Sequence, residues 1–182
     1  MTGREIIVGV CGGIAAYKTA ALVSRLVQDG AGVSVVLTEA AERFVGRATF
    51  QALTGRPVAC ELFDARQFHL GAHIELSRRA ELLCIAPATA NLLAKAACGL
   101  ADDLLSTLLL SFDGPVLLAP AMNGRMWEKP AVVRNVRTLC EDGYHLLEPE
   151  PGWLSCRDQA VGRMQEPEAI AAAIADRLRG EP

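Results

Sequence analysis

Aromatic side chains make up only 5% of this sequence, although 51% of its residues are apolar. Its interior must therefore be assembled from Val, Leu, Ile and Ala. Charge of one sign is also scarce: 18 basic and 21 acidic residues are spread along the chain, for a net charge of -3. No basic run or acidic tail offers a surface to nucleic acid or to a membrane. The six cysteines include no CxxC pair and no His/Cys cluster at zinc spacing, so no metal site is expected. An unbroken apolar stretch of membrane length is missing too. The longest candidate, LLSTLLLSFDGPVLLAPAM, is split by Asp113 and Gly114-Pro115 and reads as helix, turn and buried strand. The opening MTGREIIVGVCGGIAAYK lacks the basic segment and apolar core of a secretion signal. These exclusions leave a cytoplasmic, enzyme-sized unit, expected to be one domain over residues 1–182.

Four short apolar runs are present and read as buried strands, at residues 5–10, 32–37, 82–87 and 115–120, with a weaker one at 144–149. Between them lie helical patterns at 15–30, 91–111, 129–143 and 167–180. Gly30, Gly143 and Gly180 stand where helices end, and Pro167 suits a first helical position. Strands that are apolar on both faces and alternate with helices imply a parallel sheet covered on two sides. The expected fold is α/β: a single three-layer, doubly wound parallel sheet of Rossmann or flavodoxin kind.

Ligands of such sheets bind beyond the carboxyl ends of the strands. Unusual residues collect at those ends: CGGIAA after the first strand, TEAA after the second, PATAN after the third and PAMN after the fourth. Gly12-Gly13 before a helix lets backbone N–H groups approach a phosphate, although a glycine turn also arises for purely geometric reasons. The pattern is not GxGxxG, and the second strand ends in Thr38 rather than in the acidic residue that grips an adenosine ribose. A dinucleotide is disfavoured. A mononucleotide fits better, with flavin mononucleotide (FMN) the usual choice, and Thr38, Thr89 and Asn91 could bond a phosphate or a flavin edge.

Three further residues lack a simple packing explanation. His73, in GAHIELSRRAE, is either a surface or packing histidine or a proton carrier. Asn123, in PAMNGRMW, either caps the helix that follows or waits for a ligand, since an unpartnered buried amide costs about 1–3 kcal/mol. Cys156, in SCRDQAVGRM, lies in a mobile glycine-containing loop, unlike the four cysteines placed in apolar segments. Lys18 reads as a solvated charge, and Trp127 and Trp153 as packing residues.

Taken together, GGIAAYK at 12–18, HIELSRRAE at 73–81, APATANLLAKAACGLADDLLST at 86–107, PAMNGRMW at 120–127 and SCRDQAVGRM at 155–164 resemble the homo-oligomeric flavin-containing cysteine decarboxylases. Within that family the chain is most similar to the branch that decarboxylates phosphopantothenoylcysteine in coenzyme A synthesis. The resemblance implies bound FMN and a homotrimer or a dodecamer of trimers, with its site at a subunit interface. It also implies a separate phosphopantothenate–cysteine ligase upstream. By position it implies Gly12, Gly13, Ile14, Thr38, Thr89, Ala90, Asn91 and Ala121 around the flavin. His73 and Cys156 are implied to be catalytic, Cys156 on a flap that covers the substrate, and Asn123 and Met126 to bind substrate. The family pattern sets a glycine after the flap cysteine; this chain has Arg157 there, a residue with a narrower range of backbone angles.

The implied chemistry is oxidation of the substrate thiol to a thioaldehyde by the flavin, which creates an electron sink one carbon from Cα. CO2 then leaves, and Cys156 protonates the resulting ene-thiolate so that the flavin returns its hydride. Asn123 would orient the departing carboxylate and His73 would carry the proton of the oxidation step. The alternatives on the same scaffold are a peptidyl-cysteine oxidative decarboxylase of peptide-antibiotic maturation, a flavin prenyltransferase and a non-catalytic FMN-binding regulatory subunit.

Overall fold

The computed structural model describes residues 1–64, 66 and 68–180, so the last two residues of the expected 1–182 span lie outside it. Five parallel strands form the central sheet: β1 (Glu5–Val10), β2 (Gly32–Leu37), β3 (Leu82–Ala88), β4 (Val116–Pro120) and β5 (His145–Leu146). Their order is β2-β1-β3-β4-β5, with β1 and β2 in register from Glu5 opposite Gly32 to Val10 opposite Leu37. The chain reverses its direction of travel across the sheet between β1 and β3, which opens a crevice above their carboxyl ends.

Every residue of β3 and of β4 is buried, because helices cover both faces. On one face α1 (Ala16–Gln28), α2 (Arg47–Thr54) and α8 (Pro167–Leu178) supply Leu22, Phe50 and Ile170 to the core. On the other, α3 (Ala72–Arg79), α4 (Ala90–Cys98), α5 (Leu104–Ser111) and α7 (Pro130–Glu141) supply Leu76, Leu93, Leu105 and Leu139. Each such fully buried side chain contributes about 1.5–3 kcal/mol of transfer free energy. This is the three-layer α/β architecture that the apolar runs imply.

Several elements differ from the sequence reading. The helical pattern over 91–111 is two helices: Gly99, at φ 65, ends α4 in the left-handed region, and Asp103 opens α5 with a reciprocal capping box to Ser106. The weak run at 144–149 pairs with β4 over two residues only: on one side Tyr144 N–H turns back to the Leu139 carbonyl of α7, and on the other Leu147 N–H makes a last bond to Leu118. The short helix α6 (Gly124–Trp127) and the helices α2 and α3 carry too few apolar positions to stand out in the periodicity. Among the described residues no helix is long and apolar enough to cross a membrane.

A separate antiparallel pair, β6 (Glu150–Trp153) and β7 (Gln159–Arg163), lies beyond the main sheet. The segment around Cys156, expected as a mobile loop, is the tip of this hairpin. Leu154 N–H donates to the Asp158 carbonyl and Arg157 N–H to the Leu154 carbonyl, both at 2.9 Å. A three-residue turn of this kind brings its last residue into the left-handed region, where glycine is favoured. Arg157 occupies that position with φ 68 and is the one non-glycine residue with positive φ among those described. Replacing it should relieve the crowding of its Cβ. Arg157→Gly is expected to stabilise the protein by about 0.5–1 kcal/mol after the loss from a freer unfolded chain, measured by urea unfolding. An unchanged or lower midpoint would show that the turn stores no such strain.

Candidate active site

Above the β1–β3 switch point the strand ends line a cavity of about 600 Å³. Gly12, Gly13, Thr38, Thr89, Ala90, Asn91, Ala121 and Met126 all border it. The two glycines differ in what they do. A Cβ on Gly12 would lie 2.8 Å from the Ala40 carbonyl carbon, so Gly12 lets the first turn pack against the exit of β2. A Cβ on Gly13 would meet nothing closer than Thr89 Cγ2 at 3.9 Å, so that position faces open cavity. The N–H groups of Gly12, Gly13 and Ile14 bond no acceptor among the described residues, and α1 has no side-chain cap. Unspent donors at the start of a 13-residue helix, beside an open cavity, suit a phosphate. The Thr38 hydroxyl is partly engaged: it accepts from Ala41 N–H at 3.2 Å. Thr89 caps α4 through Leu92 N–H at 3.4 Å.

Sequence reasoning missed an ionic group in the same cavity. Lys95 reaches Asp102 at 2.5 Å and Asp103 at 2.7 Å, with its side chain only 15% exposed. The legible signal was Asp103 three residues before Ser106 at the head of an apolar run. Burial alone would raise the Asp103 carboxyl, but the bonds from Lys95 and Ser106 outweigh it and hold the group below its ordinary value. Cys11 also borders the cavity, yet burial pushes its thiol up to about 12 and keeps it neutral.

A second cavity, of about 420 Å³, adjoins the first across Gly13, Ala121 and Met122. Ile14, Asn123 and Cys156 line this one. Asn123 serves both roles that its sequence left open. Its Oδ1 accepts Arg125 N–H at 2.8 Å and caps α6, while its Nδ2 donates to Cys156 Sγ at 3.0 Å. Asp158 Oδ2 lies 3.8 Å from the same sulfur. Two close approaches place the hairpin here. Met122 N–H donates to the Gly162 carbonyl at 3.0 Å, and a Cβ on Gly162 would fall on the Met122 carbonyl oxygen. A Cβ on Gly124 would likewise lie 2.6 Å from Ala160 Cβ.

Lys18 is not a solvated charge. It pairs with Glu166 at 2.8 Å, its side chain is 13% exposed, and it borders the second cavity. That bond and the nearby Arg163 hold the Glu166 carboxyl below its ordinary value. Trp127 packs partly against the core, as expected, but Trp153 does not: it is 65% exposed on the rim of the second cavity. His73 borders neither cavity. It sits in the first turn of α3, which packs on α5, and its Nδ1 is buried without a hydrogen-bond partner among the described residues. The structure of one chain does not bring His73 to Asn123 and Cys156.

This parallel sheet, with its anion-receptive helix start and a hairpin laid over the adjoining cavity, defines a mononucleotide-binding α/β protein. A family model described as Flavoprotein matches residues 1–179, and the chain belongs to that family. It is 46% identical over 170 residues to the coenzyme A biosynthesis bifunctional protein CoaBC of Bacillus subtilis (strain 168), covering 93% of this chain and 42% of that protein. It is 50% identical over 167 residues to the protein of the same name from Mycolicibacterium smegmatis (strain ATCC 700084 / mc(2)155), covering 92% and 40%. The chain thus spans under half the length of these curated relatives. Among solved structures, the FMN-dependent cysteine decarboxylase SpaF superposes with a TM-score of 0.83 at 35% identity, covering 97% of this chain and 98% of that one. A PPC decarboxylase variant complexed with pantothenoylaminoethenethiol gives a TM-score of 0.84 at 30% identity, covering 94% and 96%.

The Lys95–Asp103 contact ties α4 to α5 at the cavity wall. Asp103→Ala removes a helix cap, and is expected to cost about 1 kcal/mol at neutral pH. A carboxyl held low stabilises the fold above its unfolded-state value, and that contribution is lost as pH falls through the folded value. The gap between variant and parent should therefore close below about pH 4 in urea titrations. A gap that persists in acid would mean that the charge of Asp103 plays no part.

Proposed function

We propose that this chain is an FMN-dependent decarboxylase that acts on the cysteine carboxylate of 4'-phosphopantothenoylcysteine and yields 4'-phosphopantetheine in coenzyme A biosynthesis. The observation that carries this reading is the contact of Asn123 Nδ2 with Cys156 Sγ, beside a cavity suited to a mononucleotide phosphate. The CoaBC relatives and the PPC decarboxylase structure support the substrate assignment. Gly12, Gly13, Ile14, Thr38, Thr89, Ala90, Asn91 and Ala121 would hold FMN, whose contribution is a reversible two-electron acceptor next to the thiol-bearing carbon.

The chain's own residues then have distinct tasks. Because Arg125 N–H holds Oδ1, the Asn123 amide turns its Nδ2 toward the cavity and can orient a carboxylate there. A neutral donor does this without a fixed cation that would stabilise the carboxylate more than the departing CO2. Met122, which borders both cavities, gives the amide an apolar neighbour, while Met126 faces the larger cavity. Decarboxylation leaves an electron pair at Cα, and the Cys156 thiol is placed to supply the proton that collapses it. His73 is the proton carrier of the thiol-oxidation step; since it stands apart from Asn123 in its own chain, it acts from a neighbouring subunit of a homotrimer or a dodecamer of trimers. A peptidyl-cysteine decarboxylase on the same scaffold is the second reading; the similarity to SpaF, an FMN-dependent cysteine decarboxylase, supports the cysteine decarboxylase class common to both.

Turnover of phosphopantothenoylcysteine to 4'-phosphopantetheine tests the proposal, and accumulation of an ene-thiol by the parent protein would move it to the second reading. Cys156→Ser is expected to release CO2 and stop at the ene-thiol. His73→Asn should bind flavin and lose activity. Co-expression of these two variants, neither of which forms 4'-phosphopantetheine alone, should restore its formation, because some interfaces in the mixed oligomer carry an intact His73 and Cys156. No recovery in a verified mixed oligomer would place His73 and Cys156 in the same chain's site, or outside the chemistry.

A further inference from the structure

The chain has few aromatic residues, and two of them flank the cysteine cavity while exposed to solvent: Tyr17 at 62% and Trp153 at 65%. They reach it from two different elements. Tyr17 stands in the first turn of α1, and Trp153 at the end of β6 beside the turn that carries Cys156. Neither the Tyr17 hydroxyl nor the Trp153 indole N–H has a hydrogen-bond partner among the described residues. A large ring left in water contributes little to folding, whereas closing on a ligand would remove apolar area from solvent. Ile14, 58% exposed, extends the same wall.

The rest of the cavity restricts what can fill it. Lys18 is already neutralised by Glu166, and Arg163 by Glu150 at 2.8 Å, so no uncompensated charge lines the wall among the described residues. Apart from the two rings, the polar groups that remain are Asn123, Cys156 and the adjoining Ser155. An occupant must therefore place a carboxylate and sulfur-bearing head at those groups and a largely uncharged chain between the rings. About 420 Å³ accommodates a small acyl chain but not a folded peptide.

We propose that Tyr17 and Trp153 form an aromatic clamp that holds the acyl arm of an N-acylated cysteine and thereby sets substrate specificity, a role that rests on the decarboxylase reading above. The rings cover the aliphatic part of the arm, and the phenol and indole N–H bond its amide groups. The clamp acts on binding and leaves the reacting carbon to Asn123 and Cys156.

Steady-state kinetics of Tyr17→Ala and Trp153→Ala test it. With phosphopantothenoylcysteine each should raise KM by about tenfold while kcat stays within about twofold. With N-acetylcysteine, which lacks the arm, neither should change kcat/KM. Binding is read separately in a Trp127→Phe background, where Trp153 is the sole tryptophan. Titration with 4'-phosphopantetheine should change its fluorescence, and Tyr17→Ala should weaken that titration by about the same factor. An unchanged KM, an equal loss on both substrates, or a change of oligomeric state with KM intact would overturn the clamp. A parent protein that binds 4'-phosphopantetheine through Trp153 yet turns over no phosphopantothenoylcysteine would instead remove the decarboxylase reading and leave the clamp standing.

Discussion

One backbone contact organises the candidate site: Met122 N–H to the Gly162 carbonyl, with the two chains so close that only a glycine fits opposite the Met122 carbonyl. It fastens an outlying hairpin to the exit of a central strand. Since β4 is buried throughout, that exit is held by the whole core, and the hairpin inherits its position. Asn123 and Cys156, 33 residues apart, meet as a consequence. Without this contact the thiol would sit on a two-stranded ribbon, which has little stability alone.

The two cavities divide the work of the crevice. The larger offers spare backbone donors, a glycine opening and a neutralised lysine, and these suit a phosphate-bearing planar cofactor. The smaller offers one amide, one thiol and an apolar wall, and these suit a substrate whose polar end reacts. Gly13, Ala121 and Met122 border both, so a ligand in one lies against a ligand in the other. Burial sorts the cysteines in the same way: Cys11 is locked as a neutral thiol beneath the larger cavity, while Cys156 stands exposed over the smaller.

Much of this was legible in order along the chain. The five strand positions, the parallel sheet and the gathering of small and polar residues at strand ends follow from runs that are apolar on both faces, a local property. Asn123 as a cap follows from residue type and spacing, also local; Asp103 carried the same kind of signal, but one helical pattern was read through it. Elements with little apolar contrast escaped, as α2, α3 and the hairpin did. Arg157 shows a different limit: its residue type argued against a left-handed backbone, and the turn imposes one because the strands on either side are already paired.

The sequence by itself determined the sheet, the covering helices α1, α7 and α8 and the crevice, because hydrophobic periodicity and turn chemistry act over a few residues. It did not determine which side chains share that crevice. The pairing of Lys18 with Glu166, 148 residues away, turned an apparent surface charge into a half-hidden wall. Trp153 proved exposed and His73 remote from the thiol for the same reason. Contacts between distant segments depend on how whole layers pack and where the chain crosses the sheet, and no short stretch of sequence carries that information.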